Sequence, residues 1–547
     1  MLQPTDATAI PAMTHLVAHA AFPNGSLAIR LRDAFGPIFT DAAFAELYPA
    51  LGQPAESPAR LALVTILQFV ENLPDREAAD AVRARIDWKY ALGLELSDPG
   101  FHYSVLSEFR HRLVTHEKAQ VLLDTLLNHC ATNGLLGGKH KQRTDSTHVL
   151  AAVRALSLLE LVGETMRRAL NAIAQVAPAW LQLHLAPEWI TRYGRRFDSY
   201  HFPKGAAERT ALAEQIGRDG VALLKAVWAD GTPPEVRTLP IVDVLRRIWV
   251  QQFYLEAETV HWRTKQQWGQ PPANLMIASP EDLEASYCVK RSTEWTGYKV
   301  HFTETCAAEH PRLITDVETT PATTHDVKMT AAVQDNLATR ELLPEVHLVD
   351  EGYMDTDLLV TSQHKGVDLV GPVPSHKSWQ SRTEDAFDHT QFTIDWDAKQ
   401  ARCPGGRTSA YYAERATTRG TPNVLFAFRV EECRPCPLRA RCTRAEDVGR
   451  TLTVYPQVQY EAQERARQRQ TTEEFKTLYG ARSGIEGTIS QGVRGMDVRH
   501  ARYIGLARTH LQHVATAAAI NVVRIVDWLL GERPEPTRRS PLLALAA

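Results

Sequence analysis

Between residues 290 and 372 the chain reads as strand, strand, helix, strand, helix, strand, an order that few folds accept. Tyr298, Val300 and Phe302 alternate with Lys299, His301 and Thr303, the two-residue period of a strand. RLITDVETT reads as a second strand and PATTH as a turn, with Asp326 placed to cap a helix in VKMTAAVQDNLATRELL. EVHLVDEGY is a short apolar strand that ends on Asp350 and turns at Gly352. DLLVTSQHK is the next helix and VDLVG the next strand. A mixed α/β sheet follows from this order. Asp350 then stands at the carboxyl end of a strand, where open α/β sheets place their ligand sites.

Helical sequence flanks this segment. Over residues 28 to 135, Ser57-Pro58 opens a helix with a capping hydroxyl and a proline that needs no amide partner. Leu73-Pro74-Asp75 breaks it, a second helix runs on to Gly93, and a third follows Pro99-Gly100. Short helices with exposed arginines fit a helix-turn-helix-like DNA-binding unit and an ordinary bundle equally well. Residues 151 to 265 read as helical again. Residues 372 to 460 are polar and rich in Pro, Gly and Cys, so they read as an insertion, and helix resumes from about Thr471 to near Leu530. A chain of 547 residues has room for about three or four domains. Its longest apolar run, AINVVRIVDWLL, is interrupted by Asn521, Arg524 and Asp527, which predicts a buried helix and no membrane span. No basic stretch leads into an apolar run at the start, so no secretory signal is expected. Seven cysteines are too few for a disulfide scaffold, which points to a reducing interior.

Net charge is -3, but the charge is unevenly spread. From Arg465 to Arg508 nine basic residues face four acidic ones, a local balance of +5. Such a stripe serves either as a phosphate-tracking face or as a solvated helix surface. Lys299, Arg494, Arg499, Arg502 and Arg508 are the candidate DNA contacts. Within YGARSGIEG, Tyr479, Arg482 and Glu486 are spaced three and four apart, so a helix puts them on one face. Gly480, Gly484 and Gly487 fall in the same turns, and each costs a helix about 1 kcal/mol relative to alanine. Close approach to that backbone is the expected reason. Asp145, in KQRTDSTHV, has no periodicity that identifies its local structure. Cys403, Cys433, Cys436 and Cys442 form C-x29-C-x2-C-x5-C, compatible with a structural zinc site and equally with free thiols. Cys130, Cys288 and Cys306 read as plain buried thiols. His148 and His325 read as structural, and Trp379 and Trp396 as insertion core before any base-stacking role.

The strings KQRTDSTHVLAAVR, GYKVHFTETC, HLVDEGY and RSGIEGTISQGVRG…HARYIGLARTHLQH…AAAIN resemble the DDE transposases of bacterial insertion sequences. More narrowly, they resemble insertion-sequence family eleven-eighty-two, whose helical N-terminal domain is similar to ALVTILQFVENLPDREAADAVRARIDWKYALGLEL. The resemblance runs from about residue 20 to 530. It implies an RNase H-like mixed-sheet core, with Asp145 on the first strand, Asp350 on the fourth and Glu486 on a late helix. It also implies a helical N-terminal DNA-binding domain (1–135), core segments at 136–150 and 290–372, and a helical insertion (151–289). A Cys-containing insertion (373–470), a C-terminal helical part (471–530) and a tail (531–547) complete the division. The wider superfamily's Tyr-Arg-Glu signature looks like Tyr479, Arg482 and Glu486. It ends on a lysine seven residues after the glutamate, where this chain has Val493 followed by Arg494.

What the resemblance implies chemically is DNA cleavage and joining of 3′-hydroxyl ends to target DNA by two-metal-ion phosphoryl transfer. Magnesium prefers hard oxygen ligands, with manganese as a substitute, so Asp145 would bridge two ions and Asp350 and Glu486 would each hold one. The implied partners are the element's terminal inverted repeats and target DNA, bound by a homo-oligomer in the bacterial cytoplasm at the nucleoid, with no membrane. An RNase H-like nuclease without joining activity and a non-catalytic transposase-derived DNA-binding protein are the alternatives. All three acidic positions being present speaks against the second.

Overall fold

The computed structural model describes residues 1–2, 9–136, 141–198, 200, 202–263, 269–374, 378–418 and 420–533. Helices α1 (Ala12–Ala21), α2 (Leu27–Phe35), α3 (Pro58–Val70), α4 (Asp75–Ala84), α5 (Ile86–Leu92), α6 (Ser104–Thr115) and α7 (Val121–Thr132) come first. Strand β1 (Lys141–Leu150) follows. A helical excursion then runs through α8 (Leu158–Val176), α9 (Pro178–His184), α10 (Pro187–Tyr193), α11 (Ala206–Trp228), α12 (Pro234–Arg237) and α13 (Pro240–Gln252), and ends in the hairpin β2 (Phe253–Glu256) and β3 (Thr259–Trp262). The chain returns through β4 (Ser286–Lys290), β5 (Thr293–Thr305), β6 (Ile314–Pro321), α14 (Met329–Thr339), β7 (Val346–Leu348), α15 (Thr356–His364) and β8 (Asp368–Val370). A second excursion holds β9 (Thr393–Asp395), β10 (Gln400–Arg402), β11 (Tyr411–Ala416), β12 (Pro422–Ala427), α16 (Val430–Cys433), α17 (Arg439–Cys442) and β13 (Thr451–Val454). Helices α18 (Gln457–Gln470), α19 (Glu473–Gly480), α20 (Gly484–Met496) and α21 (Leu506–Leu529) close the described chain.

The central sheet runs β6-β5-β1-β7-β8, with β4 continuing the hairpin edge of β5. β1 is antiparallel to β5 and parallel to β7, and β7 is parallel to β8. Among these five strands the spatial order is third, second, first, fourth, fifth, which is the mixed sheet of an RNase H-like core. One hydrophobic core joins α2 to α7, the inner residues Tyr298, Val300 and Phe302 of β5, and the length of α21. The N-terminal helices thus pack directly onto the sheet's own core. The two excursions bury separate cores, one around Leu161, Ile216 and Ile248 and the other around Phe392, Phe426 and Leu452.

Several local expectations need correction. The stretch read as one helix ending at Gly93 is two, because Arg85 is extended (φ -93°, ψ 124°) and its guanidinium ties Asp87 to Glu71. Helix was expected on to residue 265, yet it stops at Gln252 and a hairpin follows. Ala257 and Glu258 take positive φ (45° and 67°) in a two-residue turn without the Gly or Asn that announces one. Gly217 on α11 makes room for that hairpin, since a Cβ there would meet Phe253 at 2.7 Å. Asp326 caps nothing with its side chain; it takes the Lys299 ammonium instead (2.8 Å). Helix resumes at Gln457, before Thr471. The tail placed at 531–547 lies outside the described residues from 534 onward.

Candidate active site

Strand register brings the two aspartates level. Arg143 on β1 sits opposite Leu348 on the parallel β7, so Asp145, within β1, and Asp350, just past the end of β7, each two residues further on, stand side by side. Each carboxylate has one oxygen fixed by a nearby amide. Asp145 Oδ1 accepts from Ser146 N–H and Asp350 Oδ1 from Gly352 N–H, both at 2.8 Å. The other oxygens meet one cation. Arg482 Nη2 donates to Asp145 Oδ2 at 2.6 Å and lies 3.9 Å from Asp350 Oδ2, while its Nη1 lies 3.7 Å from Glu486 Oε1. Three acids from distant segments converge on a single guanidinium. Arg482 is largely buried, and its Nε has no acceptor among the described residues.

Glu486 reaches this centre from the first turn of α20. The chain from α19 to α20 stays helical through a tightened turn at Ala481–Ser483, which keeps Tyr479, Arg482 and Glu486 on one side. Tyr479 stacks on Phe475 with 5.4 Å between ring centroids and 12° between planes. Glu486 is mostly exposed and opens on a cleft of about 570 Å³ whose wall includes Gly487, Gln491, Arg524 and Trp528. Of the three glycines, only Gly484 is crowded, since a Cβ there would meet Arg143 Nη1 at 2.1 Å; Gly480 and Gly487 face open space. Burial pushes the Asp145 carboxyl above the ordinary aspartate value and Asp350 adds to this, while Arg482 and the Ser146 amide oppose it. A buried acid crowded by a second acid favours a bound cation.

Residues 17–112 match the family described as a transposase domain, and residues 402–526 match the family described as a transposase DDE domain. The second match includes Arg482 and Glu486, while Asp145 and Asp350 lie before it. No curated protein matches the chain. Both matches support a DDE transposase of insertion-sequence type. Such enzymes act on DNA and in general use divalent metal ions. Among the described residues of the chain, no helix is long and apolar enough to cross a membrane.

The second layer of the site was not foreseen. Arg143 Nε donates to Glu304 Oε1 (2.7 Å), Arg524 Nη1 to Glu304 Oε2 (2.7 Å), and Thr488 Oγ1 to the same oxygen. Arg143 Nη1 also holds the carbonyl of Ala481, directly before Arg482. Burial pushes the Glu304 carboxyl up, but Arg524 and Arg143 outweigh it and hold it below the ordinary glutamate value. The GYKVHFTETC string contains Glu304, but a lone glutamate on an apolar strand gives no sign of its arginine partners.

The candidate DNA contacts separate into two groups. Arg494 and Arg508 are exposed and make no contact with other described side chains through hydrogen bonds or ion pairs. Val493 packs against the core, so Arg494 is the exposed basic residue after Glu486. Lys299 is buried against Asp326 and the Thr324 carbonyl (2.6 Å). Arg499 donates to Thr147 (3.0 Å), and Arg502 binds the Leu73 carbonyl (3.0 Å) and Asn72 over the Phe69 ring.

Cys403, Cys433 and Cys442 pack on the core of the second excursion, and Cys403 Sγ accepts from Arg407 N–H at 3.3 Å. Burial, with the neighbouring thiols adding to it, pushes Cys442 up to about 11. Among the described residues no three His, Cys, Asp or Glu side chains are gathered closely enough to hold an ion as they stand; in the acidic triad Arg482 takes the centre. Cys130 is fully buried, whereas Cys288 and Cys306 are partly exposed. Trp396 packs on Phe426 and Tyr460, and Arg444 covers Trp379 at 4.2 Å. His148 lies against Trp295 on β1, and His325 is exposed at a helix entry.

Proposed function

We propose that this transposase binds the ends of its insertion sequence, cleaves DNA there and joins the freed 3′-hydroxyl ends to target DNA. The convergence of Asp145, Asp350 and Glu486 on one cation carries the reading. A positive charge already stands among hard oxygen donors from three chain segments, and the donor set suits magnesium or manganese. Asp145 is central, and Asp350 and Glu486 would complete the holding of two ions. When bound, magnesium supplies activation of the attacking oxygen and stabilisation of the leaving one. Hydrogen bonds from the Ser146 and Gly352 amides fix one oxygen of Asp145 and of Asp350, which orients the second oxygen of each towards the centre of the triad. Arg482 has donors to spare and would turn its planar fork to the scissile phosphate. Glu486 borders the open cleft, which gives DNA a way in, and Tyr479 lies beside the triad.

Arg494 and Arg508 are the exposed cations that would follow the DNA backbone. The strings around Asp145, Asp350 and Glu486 favour insertion-sequence family eleven-eighty-two and work at the bacterial nucleoid. The deciding experiment incubates intact protein with DNA carrying the sequences that flank its gene, in magnesium, and reads nicked and joined products. Asp145→Asn, Asp350→Asn and Glu486→Gln each abolish both products while the protein stays folded and bound to DNA. An active single variant removes that residue from the site; nicking without joining returns the chain to the nuclease alternative.

A further inference from the structure

A cleft of about 460 Å³ lies between α6 and the start of α21, bounded by Ser104, Ser107, Arg110, His111, Tyr503 and Arg508. Arg110 is buried, 6% exposed, in its wall. Arg110 Nη2 pairs with Asp75 at 2.5 Å and its guanidinium lies 5.2 Å from the Tyr503 ring, yet Nη1 has no acceptor among the described residues. A buried guanidinium N–H left without an acceptor is costly unless a ligand provides one. Asp75 balances the charge of Arg110, and Arg112 holds Glu108 at the rim (2.5 Å). Arg508, exposed on the first turn of α21, is therefore the uncompensated charge of the cleft. Ser107 adds a hydroxyl near the positive end of the α6 dipole. The donors are many, and the one carboxylate in the wall is engaged.

We infer that this cleft seats one backbone phosphate of the duplex DNA held by the transposase, between Arg508 and the Arg110 guanidinium in the cleft wall. The inference rests on the DNA-binding reading above and assigns it a place. Its volume leaves room for the sugars on either side of the phosphate, which an isolated anion would not fill. One wall belongs to the N-terminal helices and the other to the catalytic part. A phosphate held here therefore sets the position of the duplex relative to the triad.

The test measures binding of intact protein to a duplex carrying the flanking sequences, by fluorescence anisotropy across a salt series. Each neutralised phosphate contributes about 0.9 to the slope of log affinity against log salt. Arg508→Ala lowers the slope by about that amount and weakens binding about tenfold, as expected for one charge-assisted contact. Arg110→Lys keeps the Asp75 ion pair and the melting temperature but gives up the planar fork, so it also weakens binding. Replacing phosphates singly by methylphosphonate finds one position that weakens wild-type protein and leaves Arg508→Ala unaffected. Unchanged slope and affinity in both variants, or a scan that weakens both proteins alike at every position, overturns the proposal. Micromolar binding of inorganic phosphate with an unaltered DNA slope would reassign the cleft to a small anion and overturn it too. A wild-type protein without salt-dependent duplex binding would bring down the DNA-binding reading and this proposal together.

Discussion

Arg482 illustrates how one side chain holds two roles in turn. With only protein around it, the guanidinium neutralises three acids that would otherwise repel one another; Asp145, at 2.6 Å, is its nearest partner. A metal ion seeks the same oxygens, so the two cations compete for one place. Arg482→Ala is therefore expected to bind magnesium or manganese at least as tightly as wild type, measured by titration calorimetry. Cleavage at saturating metal should fall by about a hundred- to thousandfold, the usual loss for one preorganised donor at a developing charge. Arg482→Lys should recover only part of the rate, because an ammonium lacks the two parallel N–H groups. A variant that needs much more metal to reach full rate would make Arg482 a holder of the carboxylates and no more. The shared face of Tyr479, Arg482 and Glu486 was legible from spacing alone. That Arg482 would reach Asp145 across 337 residues was not, because nothing in KQRTDSTHV shows a strand. β1 is a strand because β5 and β7 pair with it on both sides, and such partners leave no periodic trace in a polar segment.

At the scale of elements, the buried Glu304 cluster fixes how α20 sits on the sheet. Glu304 on β5 collects Arg143 from β1, Thr488 from α20 and Arg524 from α21. Losing one partner of such a cluster leaves a buried charge uncompensated, so its members act together. Gly484 is the position where α20 must come close, and Arg143 there is 3% exposed and held by Glu304, with little freedom to move away. Gly484→Ala should therefore destabilise the protein by about 1–3 kcal/mol through overpacking. Gly487→Ala, which meets nothing within 4 Å, should be neutral or slightly stabilising by removing backbone entropy. Denaturant unfolding of both variants checks the contrast, and equal effects would mean that Arg143 does not set the approach of α20. The sequence pattern of this region predicted close approach at all three glycines, since propensity registers a glycine's cost and not its neighbours. The same blindness explains the missed β2–β3 hairpin. Its turn is built by Ala257 and Glu258, and tertiary packing against Gly217, which a local window does not contain, stabilises it.

Across the whole molecule, the N-terminal helices, the sheet and α21 share one core, so the sheet that aligns the triad is only as stable as that core. Three histidines inside it make its stability depend on pH. Burial pushes His301 and His347 down to about 4 and His513 to about 3. His301 Nδ1 meets the Tyr353 hydroxyl at 2.6 Å, His347 Nε2 meets Thr144 Oγ1 at 2.7 Å, and His513 Nδ1 meets Thr319 Oγ1 at 2.8 Å. All three stay neutral in the folded protein, whereas an unfolded chain protonates its histidines below about pH 6.5. The stability tied to their neutral form is therefore whole above about pH 6.5, and it declines as the pH falls towards 4. A tenfold loss of proton affinity on folding corresponds to about 1.4 kcal/mol, so each of these histidines accounts at most for roughly 3–5 kcal/mol. The melting temperature should fall steeply between pH 6.5 and 4.5, before most surface carboxylates begin to titrate. His513→Asn, which cannot take up a proton, should lower the melting temperature at pH 8 and flatten the decline below pH 6.5. A wild-type melting temperature that stays level from pH 7 to 4.5 would show that these histidines are not held neutral by the fold. Near pH 5, cleavage should then be lost together with the fold in wild type, since Asp145 on β1 and Asp350 after β7 keep their alignment only while the core around His301, His347 and His513 remains closed.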